Sequence, residues 1–207
     1  GGQGHQAGVV LCRRQCGQCV MSADIDKDCV GHWIGGWDYS GARQDSVNPA
    51  TGALLGTWAD ADGETVQRAI DRATKAFEST AWKDDKALRA RVLNVMADRF
   101  EAASDRIIQM LSAENGKLEG EAAFECATVA PKLRYWAGMA LVQQGRAGEP
   151  APNRMSLVIR QPVGVAGVIV PWNAPVALAV RSLAPALATG CTAVMKMPGQ
   201  TALTNAL

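Results

Sequence analysis

Residues 163–196 constrain this chain more than any other stretch. Val163–Val170 is almost wholly apolar and rich in β-branched side chains, the composition of a strand buried on both faces. Ala174–Thr189 reads as a helix. Pro175 is tolerated in its first turn, Pro185 is expected to bend its last turn, and Gly190 supplies the stop. Thr192–Lys196 is a second buried strand. Strand, helix and strand in so short a span form a βαβ unit. Its crossover is right-handed and its two strands are parallel, so the fold class is α/β.

The preceding residues are expected to supply short strands and then helices. His32–Ile34, Val47–Asn48 and Leu54–Trp58 read as strands, separated by Tyr-Ser-Gly-Ala and Asn48-Pro49-Ala50-Thr51-Gly52 turns. Asp60 or Asp62 caps a helix whose Val66, Ala69, Ile70, Ala73 and Phe77 share one face. A second helix is predicted over about Asp85–Ala103, with Leu88, Val92, Val95, Met96 and Phe100 at helical spacing. Ser104 is read as the cap of a third, which Asn115-Gly116 ends. A fourth helical stretch covers about Glu119–Leu141, with Pro131 as a kink or restart. Residues 145–152 read as a linker, followed by an edge strand over Ser156–Gln161. Thr201–Leu207 begins a further helix with no stop signal, so the chain is expected to be a fragment.

Composition excludes several classes of function. The 207 residues carry a net charge of +1, 48% apolar and 20% charged residues. No basic face stands out, so neither nucleic acid nor an anionic membrane is expected as a partner. The longest apolar run is too short to span a bilayer, and no apolar stretch of a secretory signal follows Arg13-Arg14. Residues 1–20, rich in Gly, Gln and Cys, read as a disordered leader. Cys16-Gly-Gln-Cys19 has the inner spacing of a zinc site, but Cys29 and His32 are the only candidates for a second pair and their spacing does not match. No metal site is assigned. Cys126 and Cys191 lie in core-like runs and read as buried thiols, which fits a cytoplasmic location.

Ligands of open parallel sheets bind beyond the carboxyl ends of the strands. Pro171, Trp172 and Asn173 stand at one such end, and Lys196–Gln200 at the next. The two loops can therefore line one crevice. Gly164-Val-Ala-Gly167 lies inside a strand rather than in the turn, so it is not a dinucleotide fingerprint. Asn173 has two readings on its own: a polar donor at the crevice, or the cap of the helix that follows.

The run GVAGVIVPWNAPVALAVRSLAPALATGCTAVMKMPGQTALTNAL resembles the aldehyde dehydrogenase superfamily. The Pro-Trp-Asn-x-Pro turn, Ala-Pro-Ala-Leu-Ala-x-Gly and a lysine-led strand end occur in the family's order and spacing. SVNPATGALLGTWADAD and KLRYWAG extend the likeness over about Gly31–Leu207. The resemblance implies the N-terminal part of a cofactor domain with a partial Rossmann-like sheet. Residues 21–144 would be its hairpin and helical part, 145–162 a linker and an oligomerisation strand, and 163–207 the start of the βαβ core. It also implies NAD or NADP as cofactor, a small-molecule aldehyde as substrate, and a homodimer or homotetramer. A cysteine thiolate attacks the carbonyl in this family, and a glutamate base assists hydrolysis of the thioester. Carried over, Asn173 would donate to the oxyanion. Val170, Pro171 and Trp172 would line the adenosine side, and Lys196 would bond the ribose hydroxyls.

Two departures and two absences bear on that expectation. The family's Lys-Pro-x-Glu reads Lys196-Met197-Pro198-Gly199 here, so the carboxylate that repels a 2′-phosphate is missing and NADP becomes permissible. Ser182 stands where a lysine proposed as a proton relay often lies, and Arg181 beside it points elsewhere on a helix. Neither Gly-Gln-x-Cys nor Glu-Leu-Gly-Gly occurs, so the chain alone is expected to be inactive, and its open sheet poorly soluble. The rival readings are a non-catalytic nucleotide-binding or interaction module, and a metal-binding leader on an inactive domain.

Overall fold

In the computed structural model the described residues are 8–10 and 29–207. The first half runs β1 (Gly8–Val10), β2 (Cys29–Val30), β3 (His32–Trp33), β4 (Trp37–Asp38), β5 (Ala42–Val47), β6 (Leu54–Asp60), α1 (Gly63–Ser79) and α2 (Lys86–Asn115). The second runs α3 (Glu119–Ala127), α4 (Val129–Val142), β7 (Arg146–Ala151), β8 (Arg154–Val158), β9 (Val165–Ile169), α5 (Pro175–Ala188), β10 (Thr192–Lys196), a 3₁₀ turn (Gly199–Thr201) and α6 (Ala202–Ala206).

The βαβ unit is present. β9 and β10 pair in parallel from Val165↔Thr192 to Ile169↔Lys196. β1 adds to the far edge of β10 in the antiparallel sense. The expected leader therefore holds a three-residue strand, and the rest of it lies outside the described residues. Alternation divides the sheet. Val168, Val170, Ala193 and Met195 join the main core with α2, α4 and α5, while Val165 and Val194 pack on Ala69 and Ala73 of α1. The expectation of full burial on both faces fails for this strand: Val165 and Ala166 are half-buried, and only Val168 and Val170 are buried. Val163 is 93% and Ile169 81% exposed.

Helix α2 corrects the division at Ser104. A single helix runs from the Asp85 cap, which accepts from the Leu88 N–H at 2.8 Å, to Gly116 in the left-handed region at φ 80°. The core-facing positions 90, 93, 97, 100, 103, 107 and 111 keep a three- and four-residue spacing through Ser104, so no new helix starts there. Val95, expected on the apolar face, is half exposed. α3 and α4 divide at Thr128, and Pro131 sits in the first turn of α4, where its missing N–H leaves no gap. The supposed linker is also corrected. Residues 146–151 form β7, which pairs with β8 as a hairpin whose register shifts around Pro150. Gly and Pro read locally as a loop, but cross-strand pairing places them in an exposed edge.

Asp62 caps α1 by accepting from the Thr65 N–H at 2.8 Å. Asp38 then ties that helix to the β3–β4 hairpin. Its carboxylate accepts from Ser40 Oγ at 2.5 Å, from the Ser40 N–H at 2.9 Å and from Arg68 Nη2 of α1 at 2.7 Å. The Ser40 hydroxyl, with the Ser40 amide and Arg68, lowers its pKa from 3.8 to about 2. A depressed carboxylate stabilises the fold above its unfolded value, and the effect is lost as pH falls through the folded value. Asp38→Asn should therefore lower the urea midpoint at about pH 6, and the gap to wild type should close as the pH is taken from 3.8 toward about 2.

Candidate active site

The turn between β9 and α5 has little local means of holding its shape. Ala174 occupies the cap position of α5 with φ −143° and ψ 64°, and no side chain of the turn caps the helix. Yet the first amides of α5 are enclosed and need acceptors. Glu125 of α3 supplies one. Its Oε1 accepts from the N–H of Val176 at 2.8 Å and of Ala177 at 3.0 Å. Its Oε2 pairs with Lys117 Nζ at 2.5 Å, and both side chains are largely buried, at 6% and 12% exposed. Lys117 also donates to the Asn173 carbonyl at 3.0 Å, and Asn115 Nδ2 to the Trp172 carbonyl at 2.8 Å. The turn is thus held by its backbone, from the end of α2 and from α3.

This arrangement removes one reading of Asn173. The helix start is satisfied by Glu125, so the Asn173 carboxamide is not a cap. It is exposed at the rim of an open cleft of about 670 Å³, together with Lys117, Glu121, Phe124, Thr128 and Lys132. No described residue hydrogen-bonds its side-chain amide.

The second strand end is fastened by the same segment. Glu114, the neighbour of Asn115, is buried and accepts from Ser46 Oγ at 2.8 Å, Leu203 N–H at 2.9 Å, Thr204 N–H at 2.8 Å and Thr204 Oγ1 at 2.7 Å. One carboxylate therefore caps α6 as the other caps α5. Gly116 allows the chain to reverse between them with φ 80°.

The residues singled out from sequence fall as follows. Val170 is buried and donates its N–H to the Lys196 carbonyl at 3.0 Å, so the two strand ends lie side by side. Pro171 and Trp172 are exposed beyond them. Lys196 is half-buried, and its ammonium has no ion-pair partner among the described residues. Gly199 lies against the indole of Trp58 on β6. Glu114, Asn115, Lys117, Glu125 and Trp58 were not foreseen. Glu125 left one local signal, a carboxylate inside the apolar run Ala-Ala-Phe-Glu-Cys-Ala.

Cys29, Cys126 and Cys191 are free and buried. Burial pushes the Cys126 thiol up to about 11, and the neighbouring Glu125 charge adds to the rise. At neutral pH it is a thiol, not a nucleophile. Cys16 and Cys19 lie outside the described residues, and among those residues no cluster of His, Cys, Asp or Glu could hold a metal ion.

Removing Glu125 leaves two helix amides without an acceptor and a largely buried ammonium without its counter-ion. Glu125→Ala should cost about 3–5 kcal/mol of stability, read from urea denaturation. Glu125→Gln keeps an acceptor for the amides and should cost less.

Residues 37–207 match the model of the aldehyde dehydrogenase family. The (Z)-2-((N-methylformamido)methylene)-5-hydroxybutyrolactone dehydrogenase of Acinetobacter baylyi is 36% identical over 79% of this chain and 34% of its own length. The geranial dehydrogenase of Castellaniella defragrans is 37% identical over 84% of this chain and 36% of its own. Among solved structures, betaine aldehyde dehydrogenase from Staphylococcus aureus in complex with NAD+ superposes with a TM-score of 0.80 at 31% identity, covering 84% of this chain and 35% of that one. The chain spans about a third of the length of the relatives it matches. The family model spans most of the chain, and the chain belongs to the aldehyde dehydrogenase family.

Proposed function

We propose that the full-length protein oxidises a small-molecule aldehyde to a carboxylic acid with NAD+ or NADP+, and that Asn173 donates its side-chain N–H to the carbonyl oxygen as charge builds there. One observation carries this reading: the Asn173 carboxamide stands uncommitted at the cleft rim while Glu125 satisfies the helix behind it. An uncharged amide on a tethered backbone is preorganised for charge that appears only in the transition state. Lys117 and Asn115 fix that backbone through the two carbonyls before and at Asn173. The three described cysteines are buried and do not suit the attack on the carbonyl.

The strand ends suit a dinucleotide. Lys196, half-buried and without an ionic partner among the described residues, ends one strand, and the exposed Trp172 follows the end of the other, groups that can take ribose hydroxyls and a flat base. Lys196 would bond the ribose, with Val170, Pro171 and Trp172 along the adenosine side. NAD(P)+, when bound, supplies the hydride acceptor. Exposed Met155, Leu157 and Ile159 on and beside the β7–β8 hairpin support association with a second copy. Buried free thiols support a cytoplasmic location. Among the described residues no helix is long and apolar enough to cross a membrane.

In the full-length enzyme, Asn173→Ala should lower the acylation rate by about 10² or more and leave cofactor affinity nearly unchanged. Asn173→Asp should be slower still, because a carboxylate repels the oxyanion. Single-turnover kinetics test both, and an Asp variant with wild-type rate would overturn the assignment. Leu157→Asp should shift the full-length protein toward smaller species in light scattering, with little change in its circular dichroism.

A further inference from the structure

The end of β10 carries a constraint that comes from a different part of the chain. Trp58, on β6, is paired to β5 at Gln44 and to β2 at Val30, and its side chain is 6% exposed. A Cβ built on Gly199 would lie 2.5 Å from Trp58 Cζ2 and 2.8 Å from Cη2, closer than real carbon contacts allow. The indole is rigid and held in a sheet, so it has no flexible end to swing aside. Gly199 has no left-handed backbone that would itself call for glycine. What keeps this position free of a side chain is therefore Trp58. The indole Nε1 is buried without a hydrogen-bond partner, which marks a ring placed there at some cost.

We propose that Trp58 is a cofactor-specificity residue: its indole fills the space a side chain at position 199 needs, so the crevice edge beyond β10 carries no carboxylate and accepts a phosphorylated ribose. The inference rests on the dinucleotide site proposed above. The nearest charge in the segment is Lys196, which favours an added phosphate. Glu114 lies behind the 3₁₀ turn, enclosed by its four donors. Trp58 acts by exclusion. It need not touch the cofactor.

The test is a double-mutant cycle in the full-length protein. Wild type, Trp58→Val, Gly199→Glu, the milder Gly199→Ala, and the Val/Glu and Val/Ala double variants are compared by melting temperature. Isothermal titration calorimetry gives their Kd for NAD+ and for NADP+. Wild type should bind NADP+ at least as tightly as NAD+. Gly199→Ala and Gly199→Glu should melt several degrees lower, and each should regain stability when Trp58→Val is added. The Val/Glu variant should move the preference toward NAD+ by about tenfold or more, from like-charge repulsion of the phosphate. Single Gly199 variants as stable as wild type, or doubles that melt no higher than the singles, would overturn the packing role of Trp58 whatever binds. A coupled melting cycle with an unmoved cofactor ratio would overturn its role in specificity. Wild-type protein that binds neither dinucleotide would overturn the reading of the site, and the specificity role with it.

Discussion

Helix α5 follows the turn of the candidate site, and it is held at both ends by buried charges from other helices. At its start Glu125 accepts two amides. At its end Arg89 of α2, 2% exposed, donates from Nε to the Ala188 carbonyl at 3.0 Å, with further bonds to the carbonyls of Trp82 and Lys83. Each charge has the sign that opposes the helix dipole at its end. Trp82 reinforces the second clamp through Nε1 to the Cys191 carbonyl at 2.8 Å. α5 itself has no acidic first turn, no basic last turn and no side-chain cap. Its position, and that of the turn before it, is imposed from outside.

The four residues Glu114–Lys117 pass this constraint to both strand ends. They close a thirty-residue helix and also grip two loops that are far apart in sequence. Such a segment is a poor place for independent motion. A change at Glu114 reaches Leu203 and Thr204 of α6, and a change at Lys117 reaches Asn173, each through a direct hydrogen bond.

Much of this was legible in the sequence because it is local. β10 was bounded to the residue, Asp60 or Asp62 was read as a helix start and Asn115-Gly116 as a helix end, and the Pro-Trp-Asn turn was placed at a strand end. The failures share a different cause. Ser104 and the Gly-Pro text of residues 145–152 carry local signals that phase and cross-strand pairing override. Glu125, Lys117 and Trp58 act on partners remote in the chain, and residue type alone does not name a remote partner. Asn173 shows the limit most clearly. Its two readings were separable only once another residue was seen to cap the helix.

The dependence of α5 on borrowed ends has a consequence for the order of assembly. A fourteen-residue helix without caps is marginal by itself in water. Arg89 and Glu125 both precede it in the chain, on helices that pack with α4 into one core. During synthesis the acceptor and the donor that α5 needs emerge before α5 does. The scaffold of the site is thus laid down ahead of the turn that bears Asn173, and that turn takes its shape on arrival.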